Sequence, residues 1–71
     1  METRITEYII ALISEFAYAH KLSCQQAFRY LDRYQGIAFA EKHYEVEHTL
    51  SFETVVEDLT QYCHKMGGEL I

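Results

Sequence analysis

The side chains best suited to metal binding or nucleophilic chemistry in this chain are His20, His43, His48 and His64, with Cys24 and Cys63. Structural zinc sites usually show close ligand pairs such as Cys-x-x-Cys or His-x-x-x-His, because two ligands from one turn must reach one ion. No such pair is present. Cys63 and His64 are adjacent and so point to different parts of a helix surface, while His43 and His48 straddle a helix end. The histidines read as surface or half-buried side chains, and no metal or other cofactor is expected. Cys24 falls in the first turn of a predicted helix, where the helix N-terminus lowers a thiol's pKa. Catalysis would also require a base in hydrogen-bond reach, an orienting third group and a cleft. A domain of this size rarely encloses one. Both cysteines are expected to be free and mostly buried, and the chain is not expected to be an enzyme.

Carboxylates form the other conspicuous group. Glu45, Glu47, Glu53, Glu57 and Asp58 make an acidic stretch without the Asp-x-Asp-x-Asp-Gly loop of a calcium site. It reads as a solvated face or as a patch for a basic protein partner, where charge governs encounter rate and specificity. Eleven acids against six bases give a net charge of −5. Arg4, Lys21, Arg29, Arg33, Lys42 and Lys65 are scattered, and only Arg29 and Arg33 stand four apart on one helix face. Nucleic-acid binding needs a concentrated positive footprint, so it is disfavoured.

The elements that must position these groups are helices. Proline is absent, and the three glycines, Gly36, Gly67 and Gly68, stand where helices should stop. A first helix is predicted from about Thr3, as cap, to His20, with Ile5, Tyr8, Ile9, Leu12, Ile13, Phe16 and Ala19 on one face. Ile10, Ala17 and Tyr18 lie off that stripe and widen it, which calls for burial on more than one side. Ser23 and Gln26 form a capping box for a second helix carrying Ala27, Phe28, Tyr30, Leu31 and Tyr34, with Gly36 as its left-handed closing residue. A third helix is predicted from Ile37 to about Glu45, with Ile37, Ala40 and Tyr44 inward. The alternation in Tyr44–His48 leaves that stretch open between helix and strand. Ser51 caps a fourth helix, whose stripe is Phe52, Val55, Val56, Leu59, Cys63 and Met66, and Gly67-Gly68 ends it. Leu70 and Ile71 are expected to tuck against the body.

The predicted architecture is therefore all-α: one domain over residues 1–71, a compact bundle of four short helices with short connections that pack as antiparallel neighbours. Such a chain buries only about 60% of its unfolded surface, a thin margin that a second subunit would supplement. The longest apolar run, Tyr8–Ile13, is too short to span a bilayer, and Met1-Glu2-Thr3-Arg4 lacks a basic n-region. A cytoplasmic protein without membrane contact is expected.

Ala27-Phe28-Arg29-Tyr30-Leu31, Tyr34-Gln35-Gly36-Ile37, the segment from His43 to Phe52, and Val55-Val56-Glu57-Asp58-Leu59 through Gly67-Gly68 resemble a family of short bacterial proteins, the domain of unknown function numbered 3791. The resemblance covers nearly the whole chain from the first helix onward. It implies a small helical protein with no assigned activity, often encoded beside a larger protein similar to ADP-ribosyltransferases, and hence an antitoxin-like or accessory partner. It carries over no catalytic residue.

Six tyrosines and four phenylalanines are more rings than one small core can hold. Tyrosine suits half-buried and interface positions, having an apolar body and a polar tip. The leading expectation is a protein-interaction module that binds itself, as a homodimer, or the product of a neighbouring gene. Its candidate surface comprises Ile10, Tyr18, Tyr44, Glu45, Glu47 and His48. The alternative is a DNA-binding regulator using helices two and three as a helix-turn-helix. Its reading helix, Ile37 to Tyr44, is poor in the polar side chains that read bases.

Overall fold

Helix ends in this chain are set by side-chain caps and by residues in the left-handed backbone region. The computed structural model describes residues 3–68. Helix α1 spans Thr3–His20, so Thr3 is a first-turn residue rather than the expected cap. It closes in a Schellman motif: the Leu22 N–H donates to the Ala17 carbonyl at 2.8 Å and the Lys21 N–H to Tyr18 at 3.3 Å. Lys21 takes φ 56° there, a conformation in which any Cβ is crowded.

Helix α2, Cys24–Arg33, opens on the expected capping box. Ser23 Oγ accepts from the Gln26 N–H at 3.1 Å, and Gln26 Oε1 accepts from the Ser23 N–H at 2.9 Å. At the next junction the expectation is corrected. The left-handed residue is Gln35, at φ 67°, and Gly36 begins helix α3, Gly36–Lys42. Gly36 is buried, and a Cβ on it would lie 2.7 Å from Leu31 Cδ2 and 3.0 Å from Cys63 Sγ. Close approach, not backbone handedness, requires glycine here.

The predicted third helix is divided in two. After His43 a single turn, α4, spans Tyr44–Glu47, so this alternating stretch is helical rather than extended. Two side chains close it. The Thr49 hydroxyl donates to the Val46 carbonyl at 2.7 Å, and His48 Nδ1 donates to the Tyr44 carbonyl at 2.6 Å. Helix α5, Phe52–Lys65, starts with the Thr54 N–H donating to Ser51 Oγ at 3.3 Å. A second Schellman motif ends it, with Gly68 N–H on the Cys63 carbonyl at 2.9 Å, Gly67 N–H on His64 at 3.0 Å, and Gly67 at φ 97°. The Leu70-Ile71 tail lies outside the described residues.

One core joins the helices: Ile9, Leu12, Phe16 and Ala17 of α1, Ala27 and Leu31 of α2, Ala40 of α3, and Val55, Val56, Leu59 and Cys63 of α5. Ala17, expected beside the buried stripe, is inside it, whereas Ala19 and Met66, expected on the apolar stripes, are exposed, as is Phe28 of α2. The Phe16–Tyr30 stack at 5.8 Å marks α1 and α2 as the antiparallel pair flanking the Lys21 turn. Gly36 against Cys63 and Phe39 against Tyr62 set α3 antiparallel to α5. The pairs Tyr8–Phe52 and His20–Thr60 show that α1 and α5 instead run in the same general direction. Among the described residues no helix is long and apolar enough to cross a membrane.

Two substitutions separate these backbone roles. Gly36→Ala is expected to lower the unfolding free energy by about 1–2 kcal/mol, because overpacking against buried Leu31 and Cys63 outweighs the better helix former. Lys21→Gly is expected to raise it by about 0.5–1 kcal/mol by relieving the left-handed position. Urea denaturation of both variants measures this, and a stabilising Gly36→Ala would contradict the packing argument.

Candidate functional site

Helix α5 carries two stripes side by side. Phe52, Val56 and Thr60 recur every four residues, and Glu53 and Glu57 follow one position later, so an apolar row and an acidic row share one face. Opposite them, α1 brings Glu15, Tyr18, Ala19 and His20. Together these residues line a groove of about 550 Å³ between α1 and α5. Val56 is buried and Phe52 half-buried, while Glu15, Glu53 and Glu57 are exposed. No lysine or arginine among the described residues lines it.

Where His20 and Thr60 meet, a hydrogen-bond chain ties the two helices. The Thr60 hydroxyl donates to the Val56 carbonyl at 2.7 Å, which leaves its oxygen to accept from His20 Nε2 at 2.9 Å. Burial lowers the pKa of His20, so its ring is neutral near pH 7 and does not offset the three carboxylates.

The six residues expected to form an interaction surface are not brought together. Tyr18, 86% exposed, stands on the groove, and Ile10, 62% exposed, lies eight residues earlier on the outer side of α1. Tyr44, Glu45 and His48 instead line a second concavity of about 540 Å³ beside Arg4, Glu41 and Lys42, where both charge signs mix. Tyr44 is half-buried, edge-on to Tyr8 at 5.3 Å and stacked on His48 at 4.5 Å. In the pair read as a helix-turn-helix, Phe39 packs its ring on Tyr62 at 4.5 Å and Ala40 is buried, leaving Ala38, Lys42 and His43 outward. Sequence reasoning treated Glu53 and Glu57 as part of a diffuse acidic stretch and omitted Glu15. The regular offset from Phe52 and Val56 was the signal that ties the two α5 acids to an apolar row.

Glu47 departs most from expectation. Its side chain is only 6% exposed, facing the fold and not solvent. Glu47 Oε2 and the Tyr8 hydroxyl are buried without a hydrogen-bond partner among the described residues. Burial, then the charge of Asp58 and a side-chain hydrogen bond with it, raise the Glu47 pKa, and His43 partly opposes them. Burial also pushes the Tyr8 hydroxyl up to about 12, with Glu47 and Tyr44 adding to the shift. Asp58 thus faces Glu47 from α5, Tyr8 from α1, and His43 precedes it in the chain.

The cysteines are both free, but only Cys63 is buried, and burial pushes its thiol up to about 11. Cys24 is exposed, correcting the expectation of two mostly buried thiols. Among the described residues no three His, Cys, Asp or Glu side chains are placed to share a metal ion.

A raised carboxyl pKa means that the folded chain holds this proton more tightly than the unfolded chain. The stability tied to Glu47 is fully present below the ordinary glutamate titration and is lost as pH rises through its raised folded value. Glu47→Gln is neutral and supplies a donor toward Asp58, so it should gain about 1–2 kcal/mol at pH 7.5. That gain should shrink as pH falls toward the glutamate range. Chemical denaturation of both proteins across pH reads the difference; a gain independent of pH would contradict the ionised buried carboxylate.

No curated protein and no solved structure matches the chain significantly. A family model described as "Protein of unknown function (DUF3791)" matches residues 7–66, from α1 through the C-cap of α5. With most of its length matched, the chain belongs to the DUF3791 family.

Proposed function

We propose that this chain is a protein-interaction module, the accessory or neutralising partner of a neighbouring gene's product, and that it binds through the α1–α5 face. The observation that carries the reading is Tyr18. Tyr8, Tyr30, Tyr34, Tyr44 and Tyr62 each pack against another ring of the fold. Tyr18 is left 86% exposed, beside a groove whose lining is mostly apolar. A tyrosine held out beside an apolar surface is the kind of anchor that dominates protein interfaces, because it buries large area at small entropic cost. Ile10, on the same helix, is also exposed but lies eight residues away and does not line the groove.

Co-expression of the tagged chain with the neighbouring gene's product tests this. The two should co-purify as a defined complex, and Tyr18→Glu should reduce recovery of the partner at least about tenfold, as expected for a central anchor. Tyr18 is 86% exposed, so the variant's circular dichroism should match the parent. A chain that elutes alone, or a Tyr18→Glu variant that retains the partner undiminished, would overturn the reading.

A further inference from the structure

We infer that the α1–α5 groove receives an amphipathic helix of the partner whose apolar stripe is flanked by lysine or arginine. The inference rests on the interaction reading above and adds the chemistry of the occupant.

Three observations point to it. The first is the construction of the groove. Both walls are helices, whose backbone donors and acceptors are satisfied within each helix, so no free strand edge is offered and an extended peptide has nothing to pair with. Recognition must pass through side chains. The second is register. The α5 wall runs from Phe52 to Gln61, roughly 13 Å at the helical rise, or about two and a half turns. Its apolar contacts Phe52 and Val56 are one turn apart, which matches anchors at i, i+4 and i+7 of an incoming helix. Tyr18 stands on the same groove and is 86% exposed, so its ring is available to an incoming helix.

The third is charge. Glu15, Glu53 and Glu57 border the apolar row, no lysine or arginine among the described residues lines the groove, and His20 is neutral. Three carboxylates around a partly desolvated surface select against acidic flanks and attract basic ones. A second copy of this chain is a poor occupant. Each copy carries a net charge of −5, and on α2, the helix that holds Arg29 and Arg33, Ala27 and Leu31 are already in the core, which leaves Phe28 as its single exposed large apolar residue rather than a stripe.

The probe is a synthetic helix of about 14 residues with leucines at i, i+4 and i+7 and lysines on the flanking positions. Two controls keep the same leucines with glutamate flanks, or the same lysine-rich composition with leucines scattered. Binding to the full chain is followed by amide chemical shifts at physiological ionic strength. The lysine-flanked helix should shift residues 15–20 and 52–61 and bind at least about tenfold more tightly than either control. The double substitution Glu53→Lys and Glu57→Lys, at exposed sites, should weaken it at least about tenfold with the remaining spectrum preserved. Equal binding of the glutamate-flanked or scattered helix, or shifts centred elsewhere, would overturn the inference. So would absence of binding by a chain that still co-purifies with its partner and loses it on Tyr18→Glu; in that case the interaction reading stands and only the occupant is wrong.

Discussion

Everything in this fold is arranged to cover α1. An 18-residue helix with apolar side chains around most of its circumference is unstable in water until its sides are buried. Within the chain, α2, α3 and α5 all pack on it, and Phe16, one turn from its C-terminal end, is fully buried. Those partners cover one broad side. They leave Ile10 and Tyr18 outward, because 71 residues supply too few helices to surround a central one. The surface that remains is bordered by acids, which keeps it hydrated while it is uncovered. On the reading advanced here, the same constraint that shapes the core also creates the docking face.

Around the core, aromatic rings do what a longer chain would do with additional aliphatic layers. Tyr8 touches both Tyr44 and Phe52, Phe39 lies on Tyr62, and Tyr30 stacks on Phe16. These contacts pin the short helices α3 and α4, which are too brief to persist through their own hydrogen bonds. The α4 corner carries a cost. Glu47 is pulled inward beside Asp58 and the unpartnered Tyr8 hydroxyl, and a buried carboxylate without full hydrogen bonding is unfavourable. Stability at this corner therefore falls as pH rises through the raised Glu47 value.

Much of this was legible in the residues. The Ser23–Gln26 capping box, the Ser51 cap and the Gly67-Gly68 stop are local devices whose chemistry is complete within four residues. The inward stripes of α1 and α5 follow from helical periodicity. Other features were hidden because they are set by distant neighbours. Gly36 looks like a helix stop until Leu31 and Cys63 are seen to crowd it from two other places in the fold. Glu47 looks like one of several surface acids, and only the approach of α1 and α5 turns it inward. Met66 fits its stripe by spacing yet is half exposed. The candidate site was half visible: Tyr18 stood out as a surplus ring, but the groove needs Glu15 and Glu57 from helices that are distant in sequence. The parallel course of α1 and α5, which builds that groove, has no local signature.

The proposed docking surface of this protein is the α1–α5 face. Hydrogen–deuterium exchange of the chain alone and in complex with the neighbouring gene's product tests it most directly. The account predicts that added protection is concentrated in residues 15–20 and 52–61, with little change around α2 and α3. Protection centred on the α2–α3 face or the α4 corner, with the groove unchanged, would contradict it.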